Sequence, residues 1–352
     1  MLTKQRIALP LAAVLLGAAC GAAASARQGR DASPPRPAPR ADEDQATVRI
    51  FTEEVALPVV AYDFKGRFDP TLEKEDVLVL EDGVPQQVRS VRRLPASVLL
   101  VFDMGGLMTA TRSMNTSRDI AQRFVAGLGP GDQAAVIQNS TRGVELLSDW
   151  TADAGAVGRV LRTQLFSGRS SRLSRCLLAA ADKLRGRPVG NTHVLVFTDG
   201  VESQADKGLF DAAVKRLAAT QATAHVIAYS ALAREAVRVR GRNPFDLDFQ
   251  MKRSRRKYAE ETKRQDERLA ALVAELGGRL YVPADDGEAI AQADEAARDI
   301  GSQYVVTYAP KRPFADSGDR RRVSVSSRRM GIRLLLMRDH VTRAAVAGGG
   351  QG

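Results

Sequence analysis

Cysteine, tryptophan and histidine are scarce in this sequence of 352 residues, which contains two, one and three of them, respectively. Two cysteines are too few for a small scaffold stabilised by disulfide bonds. Hydrophobic residues make up 44% of the sequence and charged residues 26%. These values are typical of folded soluble proteins, so the composition argues against collagen-like, wholly disordered and polytopic membrane proteins.

Sequence signatures of several common enzyme sites are also missing. The sequence contains no G-x-x-x-x-G-K-[ST], no G-x-S-x-G and no H-E-x-x-H. The three histidines, His193, His225 and His340, are far apart in the sequence. The glycine-rich run 127–131 follows a helical pattern, so it predicts a helix end and a turn rather than a dinucleotide-binding loop. The sequence therefore favours a non-enzymatic protein.

Positive charge, in contrast, is abundant. Lys and Arg number 52 against 41 for Asp and Glu, which gives a formal net charge of +11. The first 26 residues form a pattern typical of a secretory signal peptide: Lys4 and Arg6, an apolar run over 7–19, and Ala24-Ser25-Ala26. Removal of this segment leaves a net charge of +9. Because the predicted mature chain is exported, a basic balance favours an anionic surface over nucleic acid as a partner.

Two alternatives for the N-terminus stay open. The segment Leu16-Gly17-Ala18-Ala19-Cys20 resembles a bacterial lipobox, although Gly17 stands where a branched apolar residue is usual. Lipidation at Cys20 would anchor the chain, whereas cleavage after Ala26 would release it. A retained N-terminal anchor is the third option, but the apolar run is shorter than the roughly 20 residues that cross a bilayer. The predicted location is periplasmic or extracellular.

The remaining sequence divides into segments of different pattern. Residues 27–46 are rich in Pro, Arg, Ala and Asp and predict a disordered linker. Residues 47–95 contain strand-like runs and an Asp-Gly turn, and predict a small β subdomain. Residues 311–345 return to a β pattern and are predicted to pack with that subdomain, and residues 346–352 form a disordered tail.

Residues 96–310 alternate short apolar strands with helical stretches. Such a pattern predicts a doubly wound α/β domain with a mostly parallel sheet covered on both faces. The last strand of this domain is predicted over 304–308, and a helix over 269–276. Cys176 lies beside the apolar stripe of a predicted helix, which favours a buried structural thiol. Ligands of such folds bind at the carboxyl ends of the strands, where Asp103 and Asp199 stand.

Several motifs in this order resemble the von Willebrand factor type A domain, and in particular the exported bacterial proteins related to it. They are Val101-Phe102-Asp103, Phe197-Thr198-Asp199-Gly200, the segment 75–85, Leu276-Gly277-Gly278 and Ser302-Gln303-Tyr304. The resemblance runs from about Val48 to Val341. It implies a role in binding or adhesion, and a metal-ion-dependent adhesion site for Mg²⁺ or a similar ion.

The resemblance also implies which residues form that site. Asp103 matches the first aspartate of the family pattern D-x-S-x-S, Asp199 matches the aspartate of T-D-G, and Ser171 falls where a threonine is usual. The two serine positions are occupied by Gly105 and Leu107, which offer no oxygen ligand. We therefore expect a degenerate site in which loop amides or Thr198 hold Asp103. Binding of Mg²⁺ by Asp103, Ser171 and Asp199 stays open as the alternative. Asp103, Gly105, Gly106, Leu107, Ser171 and Asp199 would then form a protein-binding loop face.

A basic insertion over 231–268 interrupts the predicted α/β domain. Between Arg234 and Arg268, twelve Lys and Arg stand against seven Asp and Glu. The densest positive charges are Lys252, Arg253, Arg255, Arg256 and Lys257. Two interpretations stay open: a solvated helix start with internal ion pairs, or a patch that binds anionic lipid or an envelope polyanion. The main hypothesis is thus a protein-binding loop face, and the alternative is an envelope tether that uses this patch.

Overall fold

The computed structural model describes residues 54–103, 113–166, 171–187, 190–198, 200–202, 207–240, 249–314 and 319–342. The backbone alone is described at 113, 236–240, 249–252, 254, 255 and 258. These residues belong to one compact unit that begins at Phe51. The predicted signal peptide, linker and C-terminal tail lie outside the described residues, as do the first residues of the predicted β subdomain, 47–53.

A mostly parallel sheet forms the centre of the α/β portion. Its described strands, in spatial order, are β6 (Gly143–Thr151), β5 (Gln133–Ser140), β4 (Ser97–Asp103), β7 (Thr192–Thr198), β8 (Thr223–Ala228) and β9 (Leu280–Tyr281). Strands β4, β5, β7, β8 and β9 pair in parallel, whereas β6 pairs antiparallel with β5 at the edge. All residues of β4 and β7 are buried, which explains why both read as uninterrupted apolar runs.

Helices cover both faces of this sheet. They are α1 (Ser113–Ala126), α2 (Ala154–Thr163), α3 (Leu173–Leu184), α4 (Lys207–Ala218), α5 (Ser230–Arg240), α6 (Phe249–Leu276) and α7 (Asp286–Gly301). One apolar cluster joins the sheet to α1, α2 and α7, and a second joins its other face to α3, α4 and α6. Cys176 on α3 is fully buried in the second cluster, as predicted. The predicted α/β fold class is confirmed.

An antiparallel sheet brings the two ends of the described chain together. Its described strands, in spatial order, are β12 (Arg333–Leu336), β1 (Val55–Tyr62), β10 (Gln303–Ala309), β3 (Val84–Arg92), β2 (Val77–Glu81), β11 (Arg320–Ser327) and β13 (His340–Thr342). Strand β11 pairs with β2, and β12 pairs with β1. N-terminal and C-terminal strands therefore lie in one antiparallel sheet. Its core is a separate cluster of buried apolar side chains that includes Leu57, Val79 and Tyr308.

Strand β10 does not belong to the sheet in which the sequence placed it. It was predicted as the last strand of the α/β domain, but it lies between β1 and β3 and runs antiparallel to both. Tyr304, Val306 and Tyr308 face the apolar cluster of the antiparallel sheet. A continuous apolar run predicts burial, but it does not indicate which sheet supplies the neighbours.

The basic insertion is helical where it is described. The helix predicted over 269–276 is the C-terminal end of α6, which begins twenty residues earlier, at Phe249. Arg, Lys, Glu and Ala, which have high helix propensity, dominate its first half, and Arg256 forms an i,i+4 ion pair with Glu260. None of the helices in the described part combines the length and apolar character that crossing a bilayer requires.

Candidate functional site at the carboxyl edge of the parallel sheet

The last residues of β4 and β7 are neighbours at one edge of the parallel sheet. Asp103 ends β4 and lies in register with Thr198, which ends β7. The two strands are central and fully buried, so their ends are fixed by the sheet itself. The Thr198 hydroxyl donates a hydrogen bond of 2.9 Å to Oδ2 of Asp103, and it accepts one of 2.9 Å from the amide of Gly200.

Three further donors reach the same carboxylate from other segments. The Ser171 hydroxyl donates to Oδ2 over 2.5 Å, and the Arg172 amide donates to Oδ1 over 2.8 Å. The side-chain amide of Asn139, near the end of β5, donates to Oδ1 over 3.2 Å. Asp103 is wholly inaccessible to solvent. A buried carboxylate without donors would be strongly destabilising, so these four hydrogen bonds hold three strand ends and the segment before α3 together.

Burial dominates the electrostatics of this carboxylate. Desolvation raises the pKa of Asp103 above its usual value, because it penalises the charged form. The hydrogen bonds from Ser171, Arg172, Thr198 and Asn139 oppose that shift, because each favours the carboxylate over the acid. Hydroxyl and amide groups, rather than a positive charge, therefore compensate Asp103.

A second carboxylate, Glu202, lies beside the first. Residues Ser171 and Glu202 form an isolated parallel β-bridge. Glu202 accepts hydrogen bonds from the hydroxyl and the amide of Ser174, at 2.6 and 3.2 Å. Burial raises the pKa of Glu202, the hydrogen bonds from Ser174 oppose the shift, and the negative charge of Asp103 adds to it. Two carboxylates thus lie close together at this edge of the sheet.

Among the described residues, the donor set at this edge does not fit a magnesium site. Mg²⁺ requires near-octahedral oxygen coordination, with waters filling open positions. Both oxygens of Asp103 already accept hydrogen bonds from protein groups, and the side chain has no contact with solvent. Positions 105 and 107 are Gly and Leu. Within the described ranges, no group of three or more His, Cys, Asp or Glu side chains is arranged to hold a metal ion.

The structure brings some of the sequence-predicted site residues together and leaves others undescribed. Asp103 and Ser171 are in direct contact. Gly105, Gly106, Leu107 and Asp199 lie outside the described residues, so their place on the loop face stays a prediction. In the basic patch, the side chains of Arg253, Arg256 and Lys257 are exposed on α6. The side chains of Lys252 and Arg255 lie outside the described ones.

Three residues of this edge escaped the sequence reasoning. In the sequence, Asn139 is a polar residue at the end of an apolar strand, which gives no sign of a functional role. The pairing of β5 with β4 brings it to Asp103. Glu202 has no motif of its own beyond its position after Thr198-Asp199-Gly200. Phe166 is 64% exposed, and its amide donates to the side chain of Gln138 over 3.1 Å at the end of β5. An aromatic residue just after a helix and before a Ser-Gly-Arg-Ser-Ser run was the available signal.

Comparisons with known proteins find a matching family model and several similar solved structures. Residues 98–202 match the model of the von Willebrand factor type A domain family. No curated protein is significantly similar to the chain in sequence. Among solved structures, the von Willebrand factor type A protein from Catenulispora acidiphila is 13% identical, with 78% of this chain and 74% of that chain covered and a TM-score of 0.46.

Two other solved structures illustrate the range of similar proteins. An aerotolerance-related membrane protein from Bacteroides fragilis is 14% identical, covers 58% of this chain and 98% of its own, and has a TM-score of 0.39. The vWF domain of the type V pili tip protein Mfa5 from Porphyromonas gingivalis is 19% identical, with coverages of 33% and 44% and a TM-score of 0.29.

The family match covers the part of the chain that builds the site. It begins in β4, includes Asp103, Asn139, Ser171 and Thr198, and ends at Glu202. Domains of this family are generally non-enzymatic modules for protein interaction. The resemblance to the von Willebrand factor type A domain family is therefore confirmed for residues 98–202.

Proposed function

We propose that this chain is an exported, non-enzymatic binding protein that engages another protein through the loops at the carboxyl edge of its parallel sheet, without a bound metal. The observation that carries the proposal is the buried carboxylate of Asp103, whose four donors come from three different segments. Hydrogen bonds thereby take over the organising role that a cation has in the adhesion sites of the family. The strand ends that carry this surface are therefore held in place before a partner binds, which lowers the entropic cost of binding.

An apolar anchor stands on this surface. Phe166 exposes 64% of its area, five residues before Ser171 and beside the end of β5. Half-buried Arg172 and Glu202 surround the Asp103 centre with polar groups of both signs. Aromatic and arginine side chains supply a large share of the binding energy at protein interfaces. We therefore assign Phe166 to the loop face with Asp103, Gly105, Gly106, Leu107, Ser171 and Asp199.

The placement of the reactive side chains supports a non-enzymatic role. His193 and His225 lie near the amino ends of β7 and β8, at the opposite edge of the sheet, and His340 lies in β13 of the antiparallel sheet. Burial raises the pKa of the Cys176 thiol well above its usual value, and the charges of Asp103 and Glu202 add to that shift. A thiol held protonated is a poor nucleophile. Among the described residues, the loop face thus has neither an imidazole nor a reactive thiol.

Export rests on the N-terminal pattern. The charged start, the short apolar run and Ala24-Ser25-Ala26 support cleavage by a signal peptidase, and Cys20 offers lipid anchoring as the alternative. Either process would place the binding domain outside the cytoplasm. Mass spectrometry of the mature N-terminus separates the two, since a lipidated chain begins at Cys20 and a cleaved one begins at Arg27.

Site-specific photo-crosslinking tests the loop face. A photoreactive phenylalanine analogue at position 166 is expected to capture a protein from the envelope fraction of the source cells, equally with magnesium and with EDTA. The control carries the analogue at Met330, which is 97% exposed in the turn between β11 and β12, on the antiparallel sheet. The proposal fails if position 166 captures nothing, if position 330 captures the same protein, or if EDTA abolishes capture.

A further inference from the structure

Helix α6 is much longer than the sheet that it covers. Its 28 residues span about 42 Å at about 1.5 Å per residue, whereas the six residues of β8 span about 20 Å. The C-terminal end of α6 lies near the start of β8, because a Cβ on Gly278 would lie 2.2 Å from the carbonyl oxygen of Ala224. The helix therefore runs from the carboxyl edge of the sheet to its amino edge.

Gly200 fixes the level at which α6 passes the carboxyl edge. This glycine follows β7 with φ +75°, and a Cβ there would lie 3.2 Å from side-chain atoms of both Gln265 and Leu269. Residues 249–264 therefore project beyond the edge, a length of about 24 Å. We call these residues, together with α5, the arm. It stands beside the carboxyl edge of the sheet, where Asp103 lies.

The arm is strongly basic on its exposed side. Residues 249–264 contain seven Lys and Arg against two Glu. Arg253, Arg256 and Lys257 are exposed, and their spacing of three and four residues places them on one side of the helix. Glu260 pairs with Arg256 over 3.2 Å, but the side chain of Arg256 remains 85% exposed. This side thus presents a net positive stripe to whatever approaches the carboxyl edge.

The chemistry of the stripe favours an acidic protein over a lipid surface. A helix that binds in a membrane interface buries an apolar face with large hydrophobic side chains. Among the described side chains of α5 and α6, no large hydrophobic one is exposed. Glu260 and Glu261 also lie within the basic stretch, where an anionic bilayer would repel them. A folded or extended acidic protein segment can match a mixed pattern of charges, which a uniform headgroup layer cannot.

From this geometry we infer that the arm binds an acidic segment of the same protein partner that the loop face engages. The inference rests on the proposed function, because it assigns two contacts to one partner. Salt screens the attraction between the exposed charges of the arm and an acidic segment, with a screening length of about 8 Å at physiological ionic strength. Binding through the arm is therefore expected to weaken steeply as salt rises.

Titration of the full chain with fluorescent poly-L-glutamate tests the arm directly. The triple variant Arg253→Gln, Arg256→Gln and Lys257→Gln is expected to weaken binding at least tenfold at low salt. A matched control, Lys65→Gln, Lys74→Gln and Arg89→Gln, removes the same charge from exposed positions of the β subdomain and is expected to change binding less than threefold. Equal weakening by both triples would overturn the inference, since net charge alone would then explain the binding.

Binding to vesicles of phosphatidylglycerol and phosphatidylcholine tests the alternative, a membrane surface. If the arm binds acidic protein, the triple variant should weaken vesicle binding less than it weakens poly-L-glutamate binding. Vesicle binding that requires Arg253, Arg256 and Lys257 more strongly than poly-L-glutamate does would contradict it and favour a membrane tether. Crosslinking from position 166 reports on the loop face separately. Its failure alongside intact poly-L-glutamate binding would remove the proposed function and, with it, the shared partner.

Discussion

The two sheets each bury a carboxylate, and they compensate it in different ways. In the antiparallel sheet, Glu81 is 4% exposed and pairs with Arg321, which is completely buried, over 2.8 Å. The hydroxyl of Tyr308 donates to the other oxygen of Glu81 over 2.7 Å. In the parallel sheet, Asp103 has four donors from hydroxyl and amide groups and no positive charge among them.

This difference reflects two roles. The guanidinium of Arg321 also donates to Asp319 and to the carbonyl oxygens of residues 312 and 313, and it lies 4.0 Å from the ring of Phe314. Such a saturated cluster fastens β11 and the segment before it to β2. The donors of Asp103 instead belong to strand ends and loops. Its carboxylate organises a surface, whereas Glu81 and Arg321 stabilise a core.

Removal of Arg321 should have the largest effect. Arg321→Met leaves Glu81 buried without its cation, so we expect a loss of about 3–5 kcal/mol in the free energy of unfolding. Chemical denaturation measures this loss. Arg322→Met, at the exposed neighbouring position, is the matched control and should change stability by less than about 0.5 kcal/mol. The double variant Glu81→Met with Arg321→Met should recover part of the loss. A loss for Arg321→Met as small as that of the control would contradict a stabilising role for the pair of Arg321 and Glu81.

Substitution of His225 should have the next largest effect on stability. This side chain is buried without a partner of opposite charge and without a hydrogen bond from the described residues. Neither ring nitrogen has a hydrogen-bond partner among the described residues. Burial, together with the positive charge of Arg279, lowers the pKa of His225 to about 4. The side chain of His193 lies beside it, with 5.7 Å between ring centroids, and burial followed by the influence of His225 lowers the pKa of His193 as well.

The sign of the pH dependence follows from these directions. An unfolded histidine has a pKa near 6.5, so the unfolded chain takes up protons first as the pH falls. Stability that is complete above about pH 6.5 is therefore lost toward pH 4, by about 3 kcal/mol for His225 alone. Denaturation curves between pH 7 and pH 4 should show a shallower loss for His225→Phe than for the unchanged protein. Identical slopes would show that His225 is already charged or exposed in the folded chain.

Asp103→Asn should have a smaller effect at neutral pH, a loss of about 1–3 kcal/mol, because the new amide opposes donors that now lack an acceptor. The folded-state pKa of Asp103 is raised, so the folded chain binds the proton more readily than the unfolded chain. The unchanged protein should therefore gain stability relative to Asp103→Asn as the pH falls through that pKa toward 3.8. Asp119→Asn, at an exposed position on α1, is the control. A relative loss at low pH would contradict the assigned shift.

The sequence predicted the parts of the fold that depend on local pattern. The apolar runs of β4 and β7, and the polar residues that end them, located the carboxyl edge and Asp103. The sheet membership of β10 could not be read, because an apolar run identifies a buried strand and not its neighbours. The length of α6 was missed since a dense run of Lys and Arg fits both a solvated segment and a helix.

The site was predicted only in part for the same physical reason. Asp103 and Ser171 follow from the family pattern, and Thr198 was among the groups expected to hold Asp103. Asn139 reaches Asp103 only through the register of β5 against β4, which no local pattern encodes. The buried pairing of Arg321 with Glu81 could not be predicted either, because the two residues are 240 positions apart in the sequence. Tertiary contacts set both carboxylate environments.

Calorimetric titration of the mature protein with magnesium tests the central claim most directly. If hydrogen bonds have replaced the cation at Asp103, millimolar Mg²⁺ should give no saturable heat and no change in melting temperature. Asp103→Asn and Asp199→Ala should behave as the unchanged protein does in this titration. A saturable heat in the unchanged protein that disappears in Asp199→Ala would show a functional metal site and contradict the account.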